Sequence, residues 1–163
     1  TGATTLGALK LGTVDPADIS VADNLLGAVG GSIGEVGAIA LIIGFVYLLA
    51  VGVISWHIPV SILATVAVFS WAAGAPVAIE LLSGGLLLGA IFMATDYVTS
   101  PMTRSGMIVY GILIGALTMV IRLWGAYPEG VSFAILLGNA CTPLINRYFR
   151  PRRFGAERRK VAA

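Results

Sequence analysis

Charge is what this sequence has least of. Only 11% of its 163 residues are charged, where a soluble domain carries roughly 25%. Hydrophobic residues make up 58%, and the mean hydropathy is +0.95. A soluble chain of 16.8 kDa has too little interior to bury so much apolar surface. Disordered and nucleic-acid-binding readings fall with the soluble one. Cysteine is nearly absent: Cys141 stands alone, which excludes an internal disulfide and any four-cysteine zinc or iron–sulfur site within the chain. Histidine is also single, and His57 has no second His or Cys near it in sequence, so no metal site is expected. There is no phosphate-binding P-loop, nucleophile triad or dinucleotide fingerprint. The chain starts at Thr1 without a basic segment ahead of an apolar one. No signal peptide is therefore expected, and the sequence reads as a fragment or truncated product.

What is present is a series of long apolar runs. Lipid cannot hydrogen-bond a backbone, so spanning segments are helices or closed barrels, and runs without strand alternation select helices. Val36 to Trp56, Ile58 to Ile79, Leu81 to Thr95, Ser105 to Ile121 and Gly130 to Asn146 predict five. The fold class is an all-α membrane protein. A crossing needs about 20 apolar residues, so the third and fifth runs are short and would tilt, borrow flanking polar residues, or be re-entrant. Direction follows from the basic residues. Seven of the ten Lys and Arg lie between Arg147 and Lys160, and such a cluster stays on the cytoplasmic side. Five crossings then place the N-terminal segment and the loop Tyr127-Pro128-Glu129 outside, with the Arg104 loop inside; Lys10 and Arg122 go against the bias. The expected layout is an outer-face segment over 1–35, a five-helix membrane domain over 36–149 and a basic cytoplasmic tail over 150–163. Trp56 and Trp124 fit the two interfacial belts. Ser20-Val-Ala-Asp23 predicts a cap for a short helix over Leu25 to Val29.

Glycines recur at four-residue spacing. Gly85 with Gly89 and Gly111 with Gly115 read as close helix packing. Gly30-Gly31-Ser32-Ile33-Gly34-Glu35 is different: three glycines and a serine ahead of a helix offer backbone N–H groups to an anion, or simply form a tight turn. Glu35 at the mouth of a span is costly unless solvated or paired, and structural and functional roles weigh evenly. Thr95-Asp96-Tyr97-Val98-Thr99-Ser100-Pro101 is the other polar island, either a solvated loop with Asp96 capping a turn or a site at a broken helix. Glu80 and Glu129 read as solvated loop carboxylates. Arg122 at an outer helix end would snorkel, pair, or contact an anionic cofactor. Cys141 reads as a small packing residue.

Several stretches in order carry a resemblance: Thr1-Gly-Ala-Thr4, Gly30 to Glu35, Ile54-Ser-Trp-His-Ile-Pro59, Phe92 to Pro101, Ile121 to Gly130, and Ala134 to Ile145. Together they resemble the D subunit of Rnf-type ion-translocating electron transport complexes, a family related to the B subunit of the sodium-pumping NADH:quinone reductase. The likeness runs from Thr1 to about Phe149 and covers what would be the family's C-terminal half. It implies a urea-channel-like bundle of two repeats, of which this would be one. It also implies FMN joined through its phosphate to Thr4, with Thr1, Gly2 and Ala3 as recognition context, and a flavin transferase that takes FMN from FAD. Further implied partners are the complex's A, B, C, E and G subunits and the lipid of a bacterial inner membrane, with the N-terminal segment periplasmic. Gly31, Ser32, Gly34, Glu35, Thr95, Asp96, Thr99 and Arg122 are the further residues expected to line the flavin or an ion path. Tyr97 departs from the family's T-D-P-V-T-S-P, where a proline stands. The implied role is a one-electron relay coupled to H+ or Na+ movement, inactive alone. Two rivals from other classes are a flavin-free channel or transporter half-repeat and a structural anchor with Thr4 unmodified.

Overall fold

The computed structural model describes residues 5–12, 19–28, 30–31, 34–35 and 37–149. Among these all regular structure is helical. The elements are α1 (Thr5–Lys10), α2 (Val21–Leu26), α3 (Ala38–Val51), α4 (His57–Ala72), α5 (Val77–Leu82), α6 (Leu86–Leu88), which runs on into a π-helical turn (Gly89–Met93), α7 (Arg104–Trp124) and α8 (Val131–Tyr148).

The core is built on α7. Its N-terminus is set by Thr103, whose hydroxyl accepts from the Gly106 amide at 3.2 Å, satisfying a donor that a helix start leaves open. Ile58, Ile62 and Val66 of α4, Tyr110, Ile114 and Met119 of α7, and Val131, Ala134, Ile135 and Ile145 of α8 form one buried cluster, which Leu86, Ala90 and Ala94 complete. The approach of α4 to α7 depends on two glycines. A Cβ at Gly111 would run into Ser61 and stand 3.0 Å from the Ile58 carbonyl; one at Gly115 would stand 3.0 Å from the Ile62 carbonyl and 2.8 Å from Thr65 Cβ. Gly89 makes the same kind of room for Val131 and Ile135 of α8. The small-residue packing read from sequence therefore holds for these three. Gly85 instead takes a left-handed turn, φ +64°.

The exterior is apolar too. Ile43, Val46 and Tyr47 on α3, Val68 and Trp71 on α4, and Leu136 on α8 are all exposed, where a water-facing helix would carry polar residues. Among the described helices α7 is the one long and apolar enough to cross a membrane by itself; α3 and α4 are shorter apolar helices.

Several element bounds differ from the sequence reading, each for a local reason. The first apolar run is helical only over Ala38–Val51, because Gly52 adopts φ +75° and its amide turns back to the Leu49 and Leu48 carbonyls. The second ends at Ala72, where Gly74 at φ +70° and Pro76 break it before α5. The third is not one helix: Ser83, Gly84 and Gly85 separate α5 from α6, with both glycines left-handed. Segment 86–93 then extends only about 12 Å at 1.5 Å per residue. The short helix after Ser20 starts earlier than expected, at Val21, and ends at Leu26 where Gly27 turns left-handed. Ser20 does cap it, accepting from the Asp23 amide at 3.3 Å. The basic tail from residue 150 lies outside the described residues.

Candidate functional site

Arg104 and Arg122 mark the two ends of α7, about 27 Å apart along its axis at 1.5 Å per residue. Among the described residues, Glu35, Glu80, Arg122 and Glu129 lie at one of these ends and Thr95, Asp96 and Thr99 at the other.

At the Arg122 end, the last turn of α7 turns a guanidinium into the bundle. Arg122 is 5% exposed and so is Glu80 of α5. Arg122 Nη1 donates to Glu80 Oε2 at 2.7 Å and to the Glu80 carbonyl at 2.6 Å. Nη2 donates to the Ser83 carbonyl at 3.1 Å and the Gly84 carbonyl at 3.4 Å, and Nε to the Glu129 carbonyl at 3.1 Å. A guanidinium has five N–H donors, and five acceptors are supplied. Four belong to α5 and the break that follows it, where the backbone lacks helical partners. A charge buried in apolar surroundings is tolerable only when paired in this way. Glu80 is thus not the solvated loop carboxylate the sequence suggested: the only buried guanidinium among the described residues holds it inside.

The same break receives Glu35 and α1. A Cβ at Gly85 would stand 2.7 Å from Glu35 Oε2 and displace the carboxylate, and the left-handed φ of +64° itself favours glycine there. A cavity of about 110 Å³ lies there, lined by Glu35, Gly84, Gly85, Glu129 and Ser132 among others. From the other side Leu6 of α1, 4% exposed, sits on Gly84. Lys10 Nζ donates to the carbonyls of Arg122 at 2.9 Å, Tyr127 at 3.4 Å and Gly125. Between α1 and the end of α7 is a second cavity of about 190 Å³, walled by Leu6, Leu9, Pro76, Leu123 and Pro128, with Lys10, Glu80 and Arg122 supplying its polar groups.

The Arg104 end carries a separate polar cluster. Thr99 donates to Asp96 Oδ2 at 3.1 Å, the Ser100 amide to the Asp96 carbonyl at 3.0 Å, and Thr95 to the Ile91 carbonyl at 2.6 Å. Asp96 is exposed and organises a turn. Tyr97 donates to the Val53 carbonyl and, with Ser55, Thr95, Ser100 and Met107, lines a cavity of about 230 Å³.

Of the residues singled out in the sequence, Thr1, Gly2, Ala3, Thr4 and Ser32 lie outside the described residues. Gly31 and Gly34 are described, and Gly34 is exposed with φ +96°. Glu35 and Arg122 share one end; Thr95, Asp96 and Thr99 occupy the other. The two polar islands do not meet in one site. Sequence reasoning missed Leu6, Lys10 and Glu80. For Glu80 a signal existed: it and Arg122 are single opposite charges that the expected topology put at the same end. Trp56 and Trp124, both exposed, stand at opposite ends of the bundle as read.

Comparison with known proteins bears on the whole chain. The model of the NQR2, RnfD, RnfE family matches residues 1–155. The D subunit of the Na(+)-translocating ferredoxin:NAD(+) oxidoreductase complex of Acetobacterium woodii is 47% identical over 165 residues, covering 100% of this chain and 52% of that protein. The D subunit of the proton-translocating ferredoxin:NAD(+) oxidoreductase complex of Clostridium ljungdahlii is 47% identical over 140 residues, covering 82% and 42%. The D subunit of the ion-translocating oxidoreductase complex of Stutzerimonas stutzeri is 47% identical over 141 residues, covering 82% and 40%. The chain spans about half or less of the length of these relatives. With the match extending from the Thr-Gly-Ala-Thr stretch through the Arg122 break to the end of α8, the chain belongs to the NQR2, RnfD, RnfE family.

Proposed function

We propose that this chain is part of a membrane subunit of an ion-translocating oxidoreductase complex, and that Thr4 carries FMN as a phosphodiester. The observation that carries the reading is the seating of α1: the helix that begins one residue after Thr4 docks directly on the helix break held by Arg122 and Glu80. The helix that follows Thr4 and a charged break in an otherwise apolar bundle lie together, which supports a role in coupling redox chemistry to ion movement. The printed roles of the relatives, one sodium-translocating and one proton-translocating, support the class and leave the ion as Na+ or H+.

The residues fit the flavin. A hydroxyl is the nucleophile a phosphodiester needs. In the loading step Thr4 Oγ would bond to the FMN phosphorus of FAD, the pyrophosphate bond would break and AMP would leave. The 190 Å³ cavity beside α1 has apolar walls against which a flat ring could lie, with Lys10, Glu80 and Arg122, each already engaged by protein partners, as its polar groups. Bound there, FMN supplies one-electron relay chemistry. The chain's own contribution is to hold the attachment segment through Leu6 and Lys10, and to keep Arg122 and Glu80 neutralised against each other. Glu35 and Glu129 at the neighbouring cavity provide carboxylates on an ion path from this end, and the Thr95–Pro101 turn with its cavity provides the opposite mouth.

The membrane reading is five crossings by α3, α4, the broken segment through 86–93, α7 and α8. The Arg122 end is then periplasmic and the basic tail cytoplasmic. A chain of half the relatives' length suits one repeat of a two-repeat, urea-channel-like bundle, inactive without the remaining half and the A, B, C, E and G subunits. The test is Thr4→Val in the complete complex, produced in a host with its flavin transferase. Loss of in-gel flavin fluorescence from this protein, with its membrane level unchanged, supports the reading. Retained covalent flavin refutes it. A wild-type protein that never carries flavin favours the transporter or anchor class.

A further inference from the structure

We propose that Lys10 is a positioning residue that locks the attachment segment onto the end of α7, which deepens the reading of Thr4 and rests on it for its redox consequence. A helix C-terminus leaves carbonyls without partners and carries partial negative charge. Here the Arg122, Gly125 and Tyr127 carbonyls converge on one ammonium, which has three N–H donors to give. The contact joins residues more than 110 positions apart in sequence.

Helix α1 has six residues, and a helix that short does not persist in isolation. Two anchors fix it from its two ends. Leu6 lies on left-handed Gly84, whose carbonyl Arg122 holds, and Lys10 caps the backbone of Arg122 itself. The ammonium therefore fixes the orientation of α1, the helix that follows Thr4 in sequence, against the break. Any rearrangement of the break moves Gly84 and the end of α7, and α1 follows both. Lys10 makes the flavin segment and the charged break one mechanical unit.

The experiment uses the complete complex with Lys10→Met, which keeps length and removes the charge, and Lys10→Arg, which keeps it. Backbone hydrogen exchange over residues 5–12 should rise about tenfold or more in Lys10→Met, the scale of losing a charge-assisted hydrogen bond, and return toward wild type in Lys10→Arg. The fluorescence anisotropy of the bound flavin should fall in Lys10→Met alone. The exchange comparison is repeated in the Thr4→Val background, where no flavin is expected. A rise there supports the clamp even if the flavin assignment fails. If Lys10→Met does not assemble, Leu6→Ala removes the other anchor and should raise the same exchange. Unchanged exchange and anisotropy in Lys10→Met overturn the proposal. Loss of flavin with unchanged exchange also overturns it, by assigning Lys10 to recognition by the transferase.

Discussion

Replacing Arg122 by Met keeps much of its stem and removes five donors from a closed apolar space. The perturbation leaves the Glu80 carboxylate, 5% exposed, without its 2.7 Å partner. It also strips the Glu80, Ser83, Gly84 and Glu129 carbonyls of an N–H donor. Removing one member of a buried ion pair costs roughly 3–5 kcal/mol, because the survivor is left charged and desolvated. The lost backbone contacts act on the same loop and are not simply additive. Glu80→Gln keeps an accepting oxygen but leaves the Arg122 guanidinium buried without its counter-charge, so its cost should lie at the lower end of the same range, about 3 kcal/mol. The double replacement Arg122→Met with Glu80→Met should recover part of the loss, because no unpaired charge remains. The assay is equilibrium unfolding of the intact protein in micelles, followed by helical circular dichroism. A loss below about 1 kcal/mol for Arg122→Met, or no coupling between the two positions, refutes the view that this pair holds the break closed.

Further outcomes follow from the packing. Gly115→Val places its branch against the Ile62 carbonyl and Thr65; overpacking of this kind costs about 1–3 kcal/mol and should lower the thermal midpoint of the protein, while Gly37→Ala, which meets only Ala40 Cβ at 3.6 Å, should not. Ser20→Ala removes the cap of α2 and should cost about 1 kcal/mol, read as faster exchange of the Asp23 amide.

Much of the bundle is legible in the sequence, and the reasons differ by element. For α7 and α8 the apolar run and the helix coincide within three residues at each end, because Thr103 and Gly130 punctuate their starts and Arg122 and Arg147, where the apolar runs stop, lie in the last turn of each helix. For α3 the run continues through Val53 and Ile54, so hydropathy alone overshoots a helix that Gly52 terminates. The third run hid its break because Ser83, Gly84 and Gly85 are as compatible with helix packing as with a turn. Only the fold shows that Gly89 packs and Gly85 turns. The Arg122–Glu80 pair spans 42 positions, beyond any local periodicity. Helix α1 gave no sequence signal because its six residues are helical through docking, not propensity.

Thr4 itself decides the account. Trypsin cleaves after Lys10, so the peptide ending there contains the whole Thr1-Gly-Ala-Thr-Thr stretch. Fragment-ion mass spectrometry of that peptide, from protein matured in a host with its flavin transferase, should place the mass of one FMN less one water on Thr4. The same peptide at its unmodified mass, or with the addition on Thr1 or Thr5, would contradict it.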